Sequence, residues 1–174
     1  MNFRQLGTAL LVVTGILIAA PIMAQSGREK GPRGKGQGGD PAFAADRELF
    51  RDLLAHHADI RRDVTKTDQG VETLTESDKP DVAAAIHKHV ASMEKRVKDK
   101  KPIHLRDPLF AEVFRHADKI KFVYEKTEKG MRVTETSDDA YVVKLIQAHA
   151  DVVSLFLKNG FDEVHRNHDL PAKP

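Results

Sequence analysis

The chain matches itself at a fixed offset of sixty residues. Setting Leu49–Lys98 against Leu109–Lys158 needs no gap, and thirteen of the fifty positions are identical. The matches include Leu49/Leu109, Phe50/Phe110, His56/His116, Ile60/Ile120, Gly70/Gly130, Ser77/Ser137, Val82/Val142, Ile86/Ile146 and His89/His149. They are spread along the whole unit, which argues for a duplicated module rather than a shared low-complexity patch. Two copies are too few for a solenoid, which needs several stacked units to bury a continuous core. A single domain with pseudo-twofold symmetry is the expectation.

Each unit reads in the same order. Arg47–Ile60 carries Leu49, Phe50, Leu53, Leu54, His57 and Ile60 at helical spacing. Its counterpart opens on Asp107-Pro108, a cap followed by the proline that suits the first helical position. A hairpin follows, with strands predicted at Asp63–Thr67 and Val71–Thr75 around the turn at Asp68-Gln69-Gly70. The second hairpin is richer in strand formers, with Phe122, Val123, Tyr124, Met131 and Val133. Ser77-Asp78 and Ser137-Asp138 read as caps of a second helix in each unit. The last long helix should stop at Asn159-Gly160, with a short helix following over Phe161–His168.

An αββα unit repeated twice predicts an α+β fold: a four-stranded antiparallel sheet covered by helices. The alternative is a helical bundle with two small projecting hairpins. The repeats are expected at about 47–101 and 107–161, inside one domain covering 43–174.

The chain ahead of the repeats reads differently. Residues 1–24 pair Arg4 with the apolar run Leu6–Ala20, then Pro21 and a small residue, Ala24. This is the pattern of a secretory signal peptide cut after Ala24, and it predicts a periplasmic or secreted protein. If it stayed uncleaved, this segment would be the chain's contact with the membrane. Residues 25–42 follow as a tether: Gln25–Pro41 holds six glycines and four basic residues with no large apolar side chain. Such a segment buries too little to offset its ordering entropy.

Export to an oxidising compartment would permit disulfides, but the chain has no cysteine. Thiolate metal sites, thiol redox chemistry and covalent haem attachment are thereby excluded. From Pro41 onward, 23 Lys and Arg stand against 24 Asp and Glu. That balance gives no electrostatic footprint for nucleic acid. HExxH, GxSxG, the P-loop and GxGxxG are all absent, so nothing in the sequence points to an enzyme.

The histidines carry the functional expectation. On a helical wheel of about 100° per residue, His89 falls within the stripe of Val82, Ile86, Val90 and Met93. His149 falls within that of Val142, Ile146, Val153 and Phe156, and His57 lies mid-face on the first helix. His56 and His116 lie at the edge of their apolar faces, and His87 points away from the stripe. Two equivalent core-facing imidazoles can meet across a twofold axis, with Met93 one turn beyond His89. Imidazole and thioether suit copper, imidazole also suits zinc, and two imidazoles can hold haem b without covalent links. The candidate ligands are His89, His149, His57 and Met93, then His56 and His116. The expected function is non-catalytic binding of a metal ion or haem between the repeats. The alternative is an interaction or small-ligand sensory module whose histidines only fill the core. His165 and His168 read as an exposed polar turn, and His104 as a loop residue without a partner.

Overall fold

The computed structural model describes residues 41–173. The signal-peptide expectation at residues 1–24, and the tether up to residue 40, lie outside the described residues. The fold is α+β: four helices and one four-stranded antiparallel sheet.

The elements run α1 (Pro41–Ala55), β1 (Ile60–Thr67), β2 (Gly70–Ser77), α2 (Pro80–Lys98), α3 (Pro108–Arg115), β3 (Lys121–Lys126), β4 (Gly130–Thr136) and α4 (Ala140–Asn159). Short 3₁₀ turns follow α1, α3 and α4. The alternative of a helical bundle with projecting hairpins is thus set aside, because the hairpins join edge to edge. The strand order is β1-β2-β4-β3, with β2 and β4 antiparallel at the centre. Thr73 lies opposite Val133, Gly70 opposite Thr136 and Gly130 opposite Glu76.

The glycines explain how closely these central strands approach. A Cβ on Gly70 would overlap the Glu135 carbonyl oxygen, and one on Gly130 would overlap that of Thr75. Side chains alternate across a strand. On β2 and β4 the odd-numbered Val71, Thr73, Ser77, Met131, Val133 and Glu135 are buried under the helices, as is Ser137 just past β4. The opposite face carries Glu72 and Arg132, both exposed.

α2 and α4 lie on the inner face of the sheet, α1 packs on α2, and α3 packs on α4. One apolar cluster joins Leu53, Ile60, Val82, Ile86, Met131 and Val133. A second joins Leu54, Leu109, Val113, Leu145, Val152 and Phe156. α4 is long and apolar enough to cross a membrane by length and composition. Its apolar side chains are used otherwise: Val142, Leu145, Ile146 and Ala150 are each at most 1% exposed inside the domain.

Several boundaries differ from the sequence expectation. α1 starts at Pro41, inside the predicted tether, because Asp46 forms an ion pair with buried Arg96 of α2 and Arg96 lies over the Phe43 ring. The strands are longer than predicted, since β1 and β2 pair from Ile60↔Ser77 to Thr67↔Gly70. The helix caps shift. Asp107 caps α3 as expected, accepting from Leu109 N at 2.9 Å. At α4 the cap is Asp139, which accepts from the amides of Tyr141 and Val142. Ser77 and Ser137 instead accept the amide two residues on, and Ser77 also donates to the Asp59 carbonyl. α4 ends at Asn159-Gly160 as expected, with Gly160 at φ 59° and ψ −133°, a positive-φ conformation other than the left-handed helical one. The short helix expected over Phe161–His168 is only the 3₁₀ turn Gly160–Asp162.

Candidate functional site

His89 and His149 occupy matched places in α2 and α4 and point into the domain. Each keeps some solvent-accessible surface as a residue, but both rings lie deep among packed atoms. His89 stacks on Phe50 of α1, with centroids 6.0 Å apart. His149 meets Phe110 of α3 edge-on at 5.0 Å. Phe156 of α4 links the two sides, 5.5 Å from Phe50 and 6.1 Å from Phe110. The two imidazoles therefore share one aromatic enclosure.

Their chemistry follows from that enclosure. Loss of water disfavours the imidazolium. Burial pushes His89 down to about 4, against the opposing pull of the Asp46 carboxylate. Burial also pushes His149 down to about 4, and the Arg62 guanidinium and His89 push in the same direction. Both rings are neutral at neutral pH, the form that binds metals. His89 Nδ1 is buried without a hydrogen-bond partner. Among the described residues His149 has its Phe110 contact and no side-chain hydrogen bond. A buried polar atom left unpaired costs about 1–3 kcal/mol.

Of the other four candidates, the three histidines have partners of their own. His57 is not available as a ligand through Nδ1, which donates to the Leu157 carbonyl at 2.7 Å. Its ring also fills the space beside Gly160, where a Cβ would come within 2.9 Å of Nε2. His56 turns outward, donating from Nδ1 to the Asp52 carbonyl at 2.9 Å. His116 sits beside Glu112, with Nε2 3.3 Å from Oε1, and meets the Tyr141 ring at 5.8 Å. Met93 is half-buried on α2. Among the described residues no three His, Asp or Glu side chains gather where they could hold a metal ion.

No family model matches this chain, and neither a curated protein nor a solved structure shows significant similarity to it.

Beneath the aromatic enclosure the sheet contributes two buried charges. Arg62 on β1 donates from Nη1 to Thr75 Oγ1 at 2.6 Å, while its Nε is buried without a partner. Burial lowers it to about 10, opposed by the Glu135 charge. Burial raises Glu135 on β4 to about 7, opposed by Arg62. No sequence pattern marked this pair, because Arg62 and Glu135 stand in the matched places of Phe122 and Thr75.

Three histidines read as unremarkable have structural partners. His87 donates from Nε2 to the Gly130 carbonyl at 2.7 Å, tying α2 to the β3–β4 turn. At the matched position Gln147 donates to the Thr67 and Gly70 carbonyls of the other turn. His104, at φ 55°, lies edge-on to Phe110 at 4.8 Å. His168 is not on an exposed turn. Its Nδ1 donates to Asp107 Oδ2 at 2.6 Å and its Nε2 to Glu163 Oε1 at 2.9 Å. Burial lowers its pKa, but the two carboxylates outweigh burial and raise it. Both carboxylates are almost fully shielded from solvent. His165 is exposed, so the HxxH pair does not converge. The clue available in the sequence was the capping Asp107, whose second oxygen needed a donor.

Proposed function

We propose that this chain is an exported, non-catalytic binding protein built from two copies of an αββα unit. Its ligand is a soft metal ion held by His89 and His149. The duplication is supported by the sixty-residue matches and by the central register, where exchanging matched residues turns the pair Gly70–Thr136 into Gly130–Glu76. Reciprocal bonds support it too: His87 and Gln147 each cap the other unit's turn, and Ser77 N bonds to Lys129 O as Ser137 N bonds to Gln69 O. Export rests on the charge and hydropathy pattern of residues 1–24.

The observation that carries the ligand reading is the buried, unpartnered Nδ1 of His89, whose ring shares an aromatic enclosure with neutral His149. The chemistry selects among the metals. Zinc favours four ligands, and no third His, Asp or Glu joins a cluster among the described residues. Haem needs a slot for a macrocycle, while Phe50, Phe110 and Phe156 pack against one another around the imidazoles. Monovalent copper accepts few ligands, prefers soft donors and an apolar surround, and finds a thioether on α2 at Met93. Copper(I) is therefore the favoured occupant.

Anaerobic titration against a chromogenic copper(I) chelator tests this. One equivalent should bind, and His89→Leu or His149→Leu should weaken binding by more than the about 10–100-fold typical of losing an outer partner. A chain that fails to compete for copper(I) would overturn the reading. A second reading, an interaction or sensory module with structural histidines, is favoured by His57, whose ring serves only packing and the Leu157 carbonyl. It predicts no metal uptake in the same titration.

A further inference from the structure

A crevice of about 270 Å³ opens where the end of α2 meets the turn after α3. Val97, Ala117, Ile120 and Phe122 form its apolar floor. Two lysines, Lys98 and Lys100, and two acids, Glu94 and Asp118, stand around it. The matched place in the other half of the domain is filled by protein. There His57 stands where Ala117 stands here, Leu157 matches Val97, and Gly160 matches Lys100. Both turns pass through positive φ, 52° at Lys100 and 59° at Gly160. In the filled copy the imidazole of His57 donates from Nδ1 to the Leu157 carbonyl. In the open copy a methyl group replaces that ring.

We propose that this crevice binds a small, neutral, planar azole, in the place that its counterpart fills with the His57 side chain. The inference rests on the duplication reading given above, and not on the metal. The floor offers the Phe122 ring for stacking. The Val97 carbonyl, matched to the Leu157 carbonyl that takes the His57 N–H, accepts the Lys100 amide at 3.2 Å and a share of the Asp99 amide, and an azole N–H would share this oxygen with them. Opposed lysines and acids around the opening favour neither a strong anion nor a strong cation. One difference sets the pose. A Cβ at Gly160 would crowd the His57 ring, and Lys100 carries that Cβ. The bound ring must therefore sit displaced from the Lys100 backbone, toward Phe122.

Nuclear magnetic resonance titration of the full chain with imidazole and benzimidazole tests the proposal. The amides of Val97, Ala117 and Phe122 should shift saturably in about the millimolar range, as befits ligands of so few atoms. Lys100→Gly should tighten binding by removing the crowding Cβ. Joining it to Ala117→His should abolish the shifts and raise the melting temperature, because the copy then fills itself. N-acetylhistidinamide separates sources: binding it as well as benzimidazole indicates a histidine side chain of another molecule, and rejecting it indicates a free heterocycle. Absence of saturable shifts at these amides, or shifts that persist in the double variant, would overturn the proposal. His57→Ala should open a second azole site at Leu157. If it does not, while the wild-type crevice binds, the duplication reading fails and the azole site stands.

Discussion

Glu135→Gln isolates the energetics of the buried charge beneath the candidate site. Glu135 lies on the inner face of β4, and burial raises its carboxyl from 4.5 to about 7 despite the Arg62 charge. Each pKa unit is worth about 1.36 kcal/mol, so ionising Glu135 in the folded domain costs about 3 kcal/mol. The sign follows from proton linkage. Because the folded pKa is raised, the favourable contribution is complete below pH 4.5 and is lost as pH rises through about 7. Glutamine keeps the shape of the protonated acid and cannot ionise. The difference in unfolding free energy, variant minus wild type, should climb by about 3 kcal/mol between pH 4.5 and 8. Urea unfolding of both chains across that range, followed by circular dichroism, measures it. Taking the difference cancels the opposite trend of His89 and His149. Their depressed pKa values add stability above 6.5 that is lost as pH falls toward about 4. A flat difference curve would show that Glu135 is hydrated or fully paired, and the reasoning would fail.

Three further outcomes follow. His89→Leu should raise the stability of the metal-free protein by about 1–2 kcal/mol in thermal unfolding, since it removes an unpaired buried nitrogen; a loss of similar size would mean that the imidazole is structural. The His168 bridge should hold the C-terminal segment best between about pH 4.5 and 6.5. The raised His168 contribution fades as pH climbs through its folded pKa, and the lowered Glu163 contribution fades as pH falls through its own. Hydrogen exchange at Arg166 and His168 reads this, and equal protection at pH 5.5 and 9 would contradict it. Gly130→Ala should cost at least about 1–3 kcal/mol by forcing β2 and β4 apart, and a variant of unchanged stability would refute the close-approach argument.

The sixty-residue self-match and the apolar pattern made the sheet, the helix order and the depth of His89 and His149 legible, because apolar periodicity records which face is buried. The same periodicity carried no distances between helices. His57 looked equivalent to His89 on its wheel, yet a carbonyl one hundred residues away takes its Nδ1. His168 looked solvated because its partners, Asp107 and Glu163, come from a distant cap and a turn. Arg62 and Glu135 were invisible for a related reason: a charge on the inner strand face breaks the alternation on which strand reading depends. The extension of α1 to Pro41 depended on the tertiary pairing of Asp46 with Arg96.

X-ray absorption at the copper edge, on the chain loaded with one equivalent of copper(I), most directly tests whether the two matched imidazoles act together. The account predicts an inner shell of two imidazole nitrogens near 2 Å, with at most one added sulfur from Met93, collapsing when either His89 or His149 is replaced by Leu. A shell unchanged by those replacements, or a chain that retains no copper, would contradict it.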